Sequence, residues 1–241
     1  MGRILSSIGV GAATVDTVLP KPELRPGETV QVDVELSGGD SNQVIGGIFF
    51  ELKTRTGSDG DATVLSEIEV ERSISLSPDE ERTIPVDIEL PLWTPVTRDG
   101  VSVWLATRLE IDWARDPTDE DRITVVPDEY VSALLDALDD LGFALDGAEV
   151  VDVPFVDDRP MAQRFRFRPT DDQYSADLDA LKVTVMPRPG DLRVFVEFDR
   201  KGTIADEHAL DFDKQEEPMT LERPSVEAIR GRIEEGIRRN V

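Results

Sequence analysis

The clearest pattern in the chain runs from Val101 to Pro127. Apolar side chains stand at Val101, Val103, Leu105, Leu109, Ile111 and Trp113, every second residue, and only Thr107 breaks the alternation. Successive side chains of a strand point to opposite faces, so this spacing predicts a long strand with one buried face. An Asp-rich turn and a short strand, Ile123 to Val126, follow it. The same alternation recurs upstream at Val30, Val32, Val34 and Leu36, and again at Ile84, Val86, Ile88 and Leu90. Pro26-Gly27 marks a turn between strands, Gly46 and Gly47 mark a bulge or a close backbone approach within a Val44–Thr54 strand, and Pro85 pushes its segment toward a sheet edge. Ala62–Ser73 is placed to pair back onto Val44–Thr54. Short strands at this spacing, with almost no helical periodicity, predict an antiparallel β-sandwich over residues 1–127.

The period changes after Pro127-Asp128. Val131, Leu134, Leu135, Leu138 and Leu141 fall at helical spacing, with Asp128 as N-cap and Gly142 as the stop, which predicts a helix over 128–141. Strand-like runs follow at Val150–Val153, Arg164–Arg168, Leu181–Met186 and Leu192–Phe198. The tail carries Val226, Ile229, Ile233 and Ile237 on one stripe, with Arg238 and Arg239 complementing the helix dipole, which predicts a helix over 225–239. The second domain is therefore expected over 128–241, β-sandwich-like and bracketed by two helices.

Composition narrows the chemistry. With no Cys, disulfides, thiolate nucleophiles and Cys-based metal sites are excluded, and with one His (His208) so are multi-His metal sites. The N-terminal stretch lacks an apolar run of signal-peptide length, and no run approaches the roughly 18 residues that span a bilayer, so the expected location is cytoplasmic without membrane insertion. Formal charge is −25, from 51 acidic and 26 basic residues, the latter 21 Arg to 5 Lys. The excess is −13 through Pro127 and −12 beyond it, a uniform coat and not an acidic tail. Self-repulsion of this size destabilises a compact chain unless salt screens it, and the Debye length is only about 3 Å at 1 M. The composition therefore points to a salt-adapted surface.

GVGAAT (9–14) lacks the preceding strand and following helix of a phosphate-binding loop. Asp112, Asp116, Asp119, Glu120 and Asp121 supply oxygen ligands but not the spacing of a calcium loop. His208 sits among acids, as an exposed histidine does. Paired carboxylates for glycoside hydrolysis carry no signal in so acidic a chain. Arg164, Arg166 and Arg168 alternate with Phe165 and Phe167, placing three guanidiniums on one face and two rings in the core. This is the clearest basic stripe and the candidate interaction patch. Its plainer role is cross-strand pairing with carboxylates, for which Asp157, Asp158, Asp171 and Asp172 are near in sequence. The negative field elsewhere argues against nucleic acid.

An ordered set of segments resembles the SpoOM family of sporulation-control proteins, which have an arrestin-like fold. The matching pieces are SIGVGAATVDTVL, LRPGETVQVDVEL, TIPVDIELPLWTPVT and VWLATRLEIDWARDPTDEDRITVVP, then LGFAL, QRFRFRP and LDALKVTVMPRPGDLRVFVEFDRK, spanning about residues 4–201. The acidic, Arg-rich composition looks like that of a haloarchaeal member. The resemblance implies two tandem arrestin-like, immunoglobulin-like β-sandwiches, an all-β class, and a role in regulation with no catalytic residue to carry over. The resulting expectation is a non-enzymatic adaptor or scaffold without cofactors or metals, engaging protein partners through strand edges and loops, with homo-oligomers open to it. The alternatives are a β-sandwich carbohydrate-active hydrolase and a passive structural or assembly protein.

Overall fold

The computed structural model describes residues 13–56, 60–98, 100–111, 116–153, 161–202 and 218–240. Ile4, Leu5, Ile8 and most of GVGAAT, Asp112, Trp113, Asp157, Asp158 and His208 lie outside them. The chain divides into two compact units, the second starting at Pro127 and drawing in Thr56 and the Arg98–Val101 turn.

The first unit contains eight described strands: β1 (Thr14–Val18), β2 (Glu23–Leu24), β3 (Thr29–Ser37), β4 (Gln43–Thr56), β5 (Thr63–Leu76), β6 (Glu81–Glu89), β7 (Val101–Ile111) and β8 (Thr118–Val125). They form a three-stranded sheet, β1-β3-β6, and a five-stranded sheet, β2-β8-β7-β4-β5. Alternation sets the packing. Val30, Val32, Val34 and Leu36 of β3, Ile84, Val86 and Ile88 of β6, and Val101, Val103, Leu105, Leu109 and Ile111 of β7 are all buried. Burying a residue of this kind contributes about 1.5–3 kcal/mol relative to leaving it exposed, so the two inner faces define the core.

Local chemistry explains the departures from regularity. Gly27 (φ +76°) closes the turn after Pro26, donates its N–H to the Leu90 carbonyl at 2.8 Å, and leaves no room for a Cβ, which would lie 2.7 Å from Leu92 Cδ2. The β4–β5 register shifts between Ile45 and Gly47, so buried positions pass from Ile45 to Ile48, Phe50 and Leu52. Pro85 sits on β6, an edge strand, where its missing N–H removes no ladder bond. One element differs from the pattern. Asp119, Glu120 and Asp121, expected in a turn, belong to β8, paired with Thr107, Ala106 and Leu105. The core faces Ile123 and Val125 only, so the first half of the strand carries no apolar signal.

In the second unit come α1 (Glu129–Asp140), β9 (Phe143–Asp152), β10 (Met161–Pro169), α2 (Asp172–Ser175), β11 (Leu178–Arg188), β12 (Asp191–Arg200), β13 (Met219–Leu221) and α3 (Val226–Asn240). The described strands form one antiparallel sheet in the order β13-β12-β11-β10-β9. Asp128 caps α1, its carboxylate accepting the Val131 N–H at 2.8 Å. Gly142 (φ +80°) ends the helix, and a Cβ there would meet Asp171 Oδ2 at 2.8 Å. Val131, Leu134 and Leu138 of α1 and Ile229, Ile233 and Ile237 of α3 form buried stripes, and the helices pack on each other and on the sheet.

Candidate functional site

The Arg stripe lies on β10, and its neighbours decide what each guanidinium does. Phe165 and Phe167 turn into the core, fully buried, with ring centroids 6.4 Å apart. On the opposite face Arg164 stands between Glu149 of β9 and Thr184 of β11. Its side chain is only 4% exposed. Nε donates to Thr184 Oγ1 at 3.4 Å and Nη1 to Glu149 Oε1 at 3.3 Å, while Nη2 lies 3.6 Å from Glu197 Oε1 and makes no hydrogen bond. Two residues along the same face, Lys182 is 3.2 Å from Asp199, both largely buried. An apolar cluster of Val153, Ala162 and Met186, with Val151 and Phe195 against it, flanks this network.

Arg166 and Arg168 are placed differently. Both are exposed and both turn to Asp146, at 3.6 Å and 2.8 Å. The stripe is therefore one enclosed cation and two surface cations sharing a carboxylate. Among the described residues its partners come from β9, β11 and β12 across the sheet. Asp171, one of the partners expected from the sequence, instead caps α2 by accepting from the Gln173 N–H at 3.1 Å. Burying a charge among carboxylates is costly unless the pairing is kept, so Arg164 ties three strands into one arrangement.

The acidic run of β8 makes a second polar site, inside the sandwich. Asp119 accepts the Thr17 N–H at 2.8 Å, and Thr17 and Thr107 share a buried hydroxyl contact at 2.8 Å. Asp121 lies beside Asp119, with Oδ2 buried and unpartnered. Burial first, then the charge and hydrogen bonding of Asp119 and the charge of Asp16, push its carboxyl up to about 7. Asp116 is taken up by Arg108 at 3.2 Å. Among the described residues no three His, Asp or Glu side chains converge to hold a metal ion.

A third feature carried no signal in the sequence. Between α3 and the outer part of β12 lies a cavity of about 260 Å³, lined by Val194, Val196, Phe198, Met219 and Ile233 and flanked by Arg232, Glu235 and Arg239. Gly236 lets the helix approach Phe198, to which a Cβ would come within 3.3 Å, a property of the assembled fold.

Among the described residues no helix is long and apolar enough to cross a membrane. Comparison with known proteins places this architecture. The model of the SpoOM protein family matches residues 1–202. The sporulation-control protein Spo0M of Bacillus subtilis strain 168 is 36% identical over 207 residues, covering 83% of this chain and 80% of that one. The crystal structure of Spo0M, the sporulation control protein from Bacillus subtilis, superposes with a TM-score of 0.85, covering 96% of this chain and all of that one, at 29% identity. These relatives are named for sporulation control and not for an enzymatic activity. With its mostly β, antiparallel, arrestin-like architecture, the chain belongs to the SpoOM protein family.

Proposed function

We propose that this chain is a non-enzymatic regulatory adaptor or scaffold that works by binding protein partners. The observation that carries the reading is its likeness, over about four-fifths of both sequences, to a protein named for sporulation control. Physical features agree with it. The strongest ionic cluster, around Arg164, is internally paired across three strands, as a structural network is. A groove between α3 and β12 in the second unit, lined by Val194, Val196, Phe198, Met219 and Ile233, offers apolar contacts to a bound segment. In this reading residues 1–127 and 128–241 are the two functional domains. Arg166 and Arg168 are the outward part of the Arg stripe, and the acidic coat keeps the protein soluble in a salt-rich cytoplasm.

Cross-linking inside the native cell, followed by mass spectrometry of adducts to the tagged chain, tests this. A small set of proteins recovered reproducibly, and lost when the chain is denatured before cross-linking, supports the adaptor. Adducts that only mirror cellular abundance overturn it.

A further inference from the structure

We propose that β1 is a proton-controlled latch: the seam it closes against β8 stays shut while Asp121 is protonated and opens when that carboxyl ionises. The device belongs to the first sandwich and stands whether or not the adaptor reading does. The first observation is how β1 is held. Pro85 has no N–H and lies opposite Asp33, so the backbone groups of Asp33 and Glu35 turn the other way, to Val18 and Asp16 of β1. The N–H groups of Ala13 and Thr17 then point outward, and both end on side chains of the other sheet. Ala13 donates to Gln43 Oε1 of β4 at 3.0 Å, and Thr17 donates to Asp119 Oδ2 of β8 at 2.8 Å. With the Thr17–Thr107 hydroxyl contact, these bonds tie a strand of 5 residues to the second sheet through side chains.

The second observation is the charge along that seam. Asp121 shares a face of β8 with Asp119, and its Oδ2 is buried and unpartnered. The charges that act on it are Asp119 and, from β1, Asp16, both negative. β7 sets uncharged Leu105 and Thr107 opposite the two β8 acids. β2 meets β8 with Glu23 and Leu24, and Asp16 itself lies opposite Glu35 of β3. β1, β2 and β3 contain no Lys or Arg. Arg108 of β7 is turned to Phe49 and Asp116, and Arg122 of β8 lies opposite Trp104 on the other face. Burial and these acids hold the proton of Asp121 up to about 7. Its loss leaves three carboxylates at the seam with no countercharge from these strands. Asp16 is on β1 and the other two are on β8, so parting the strands relieves both the repulsion and the burial of Asp121. Opening also uncovers the backbone groups of Asp33 and Glu35, an accessible strand edge on β3.

The sign follows from the proton. The open form releases it at the ordinary carboxylate value of 3.8 and the closed form at about 7. Opening therefore rises with pH between those values, by up to about tenfold per unit, and is level above 7. The test is amide exchange by NMR on the whole protein in molar KCl from pH 4 to 8, each rate divided by its intrinsic rate, for wild type and Asp121→Asn. In wild type Asp16, Val18, Asp33 and Glu35 are expected to lose protection together as pH rises to 7. Val32 and Val34 of the same β3, bonded to β6, stay protected. In Asp121→Asn the four β1–β3 amides keep the same protection at every pH. Wild-type protection that does not change with pH, or a pH response retained in Asp121→Asn, overturns the latch. So does loss of protection at Val32 and Val34 in step with Asp33 and Glu35, which marks unfolding of the whole sandwich.

Discussion

The hydroxyls of Thr17 and Thr107 meet at 2.8 Å in the buried interior of the first unit, one from each sheet of the sandwich. Thr107 is the residue that interrupts the apolar alternation of β7, and it is 1% exposed. The interruption is a polar tie between the sheets, backed by the bond from the Thr17 N–H to Asp119. A hydroxyl so deep is tolerated because its partner is present.

Removing one half of that pair strands the other. Thr107→Val is expected to destabilise the first unit by about 1–2 kcal/mol, whereas Thr17→Val/Thr107→Val, which removes both hydroxyls, costs less than the single change. Urea unfolding of the three proteins in the same molar salt measures this. A double variant less stable than either single one contradicts it.

Asp121 gives the stability a pH dependence of definite sign. Its carboxyl is raised from an ordinary value of 3.8 to about 7 in the folded chain, mainly by burial and then by Asp119. Between those two values the folded chain holds a proton that the unfolded chain has released. This group's contribution is therefore full below about pH 4 and is lost as pH rises through 7. Asp121→Asn mimics the protonated form. It is expected to match wild type near pH 4 and to become the more stable of the two above pH 7, as read by thermal melts across that range. A wild type that gains on the variant as pH rises runs against the assignment.

Arg164 predicts a non-additive response. Glu149→Gln/Glu197→Gln leaves its guanidinium enclosed without a countercharge, a change expected to cost about 3 kcal/mol. Adding Arg164→Met to that pair removes the charge itself and recovers most of the loss. Equilibrium unfolding of the second unit's transition shows whether the triple variant is more stable than the double. The reverse order rules out the pairing as the stabilising element.

The acidic coat predicts salt dependence. At −25, self-repulsion outweighs the modest stability of a domain in dilute buffer, and screening at molar KCl removes most of it. Circular dichroism is expected to show loss of β structure at low salt and its recovery in molar KCl. Equal stability in both assigns the charge another role.

Legibility in the sequence followed burial on one face. β3, β6 and β7 announce themselves because one face of each meets the core and the other meets water. The acidic half of β8 does not, because its apolar positions begin only at Ile123. The Arg stripe was readable as alternation on β10, with Phe165 and Phe167 inward. Its partners were not, since Glu149, Thr184 and Glu197 reach Arg164 through strand pairings that local sequence does not encode. The same holds for Thr17 and Thr107, which are 90 residues apart. The groove at β12 needed the approach of α3, which tertiary packing sets.

The central claim, that this SpoOM-family chain acts by holding protein partners, is tested most directly by affinity purification of the tagged chain from its native cell in molar KCl. The account predicts a reproducible protein partner that co-elutes with the folded chain at defined stoichiometry. Recovery of the chain alone, accompanied by turnover of a screened small-molecule or carbohydrate substrate, contradicts it.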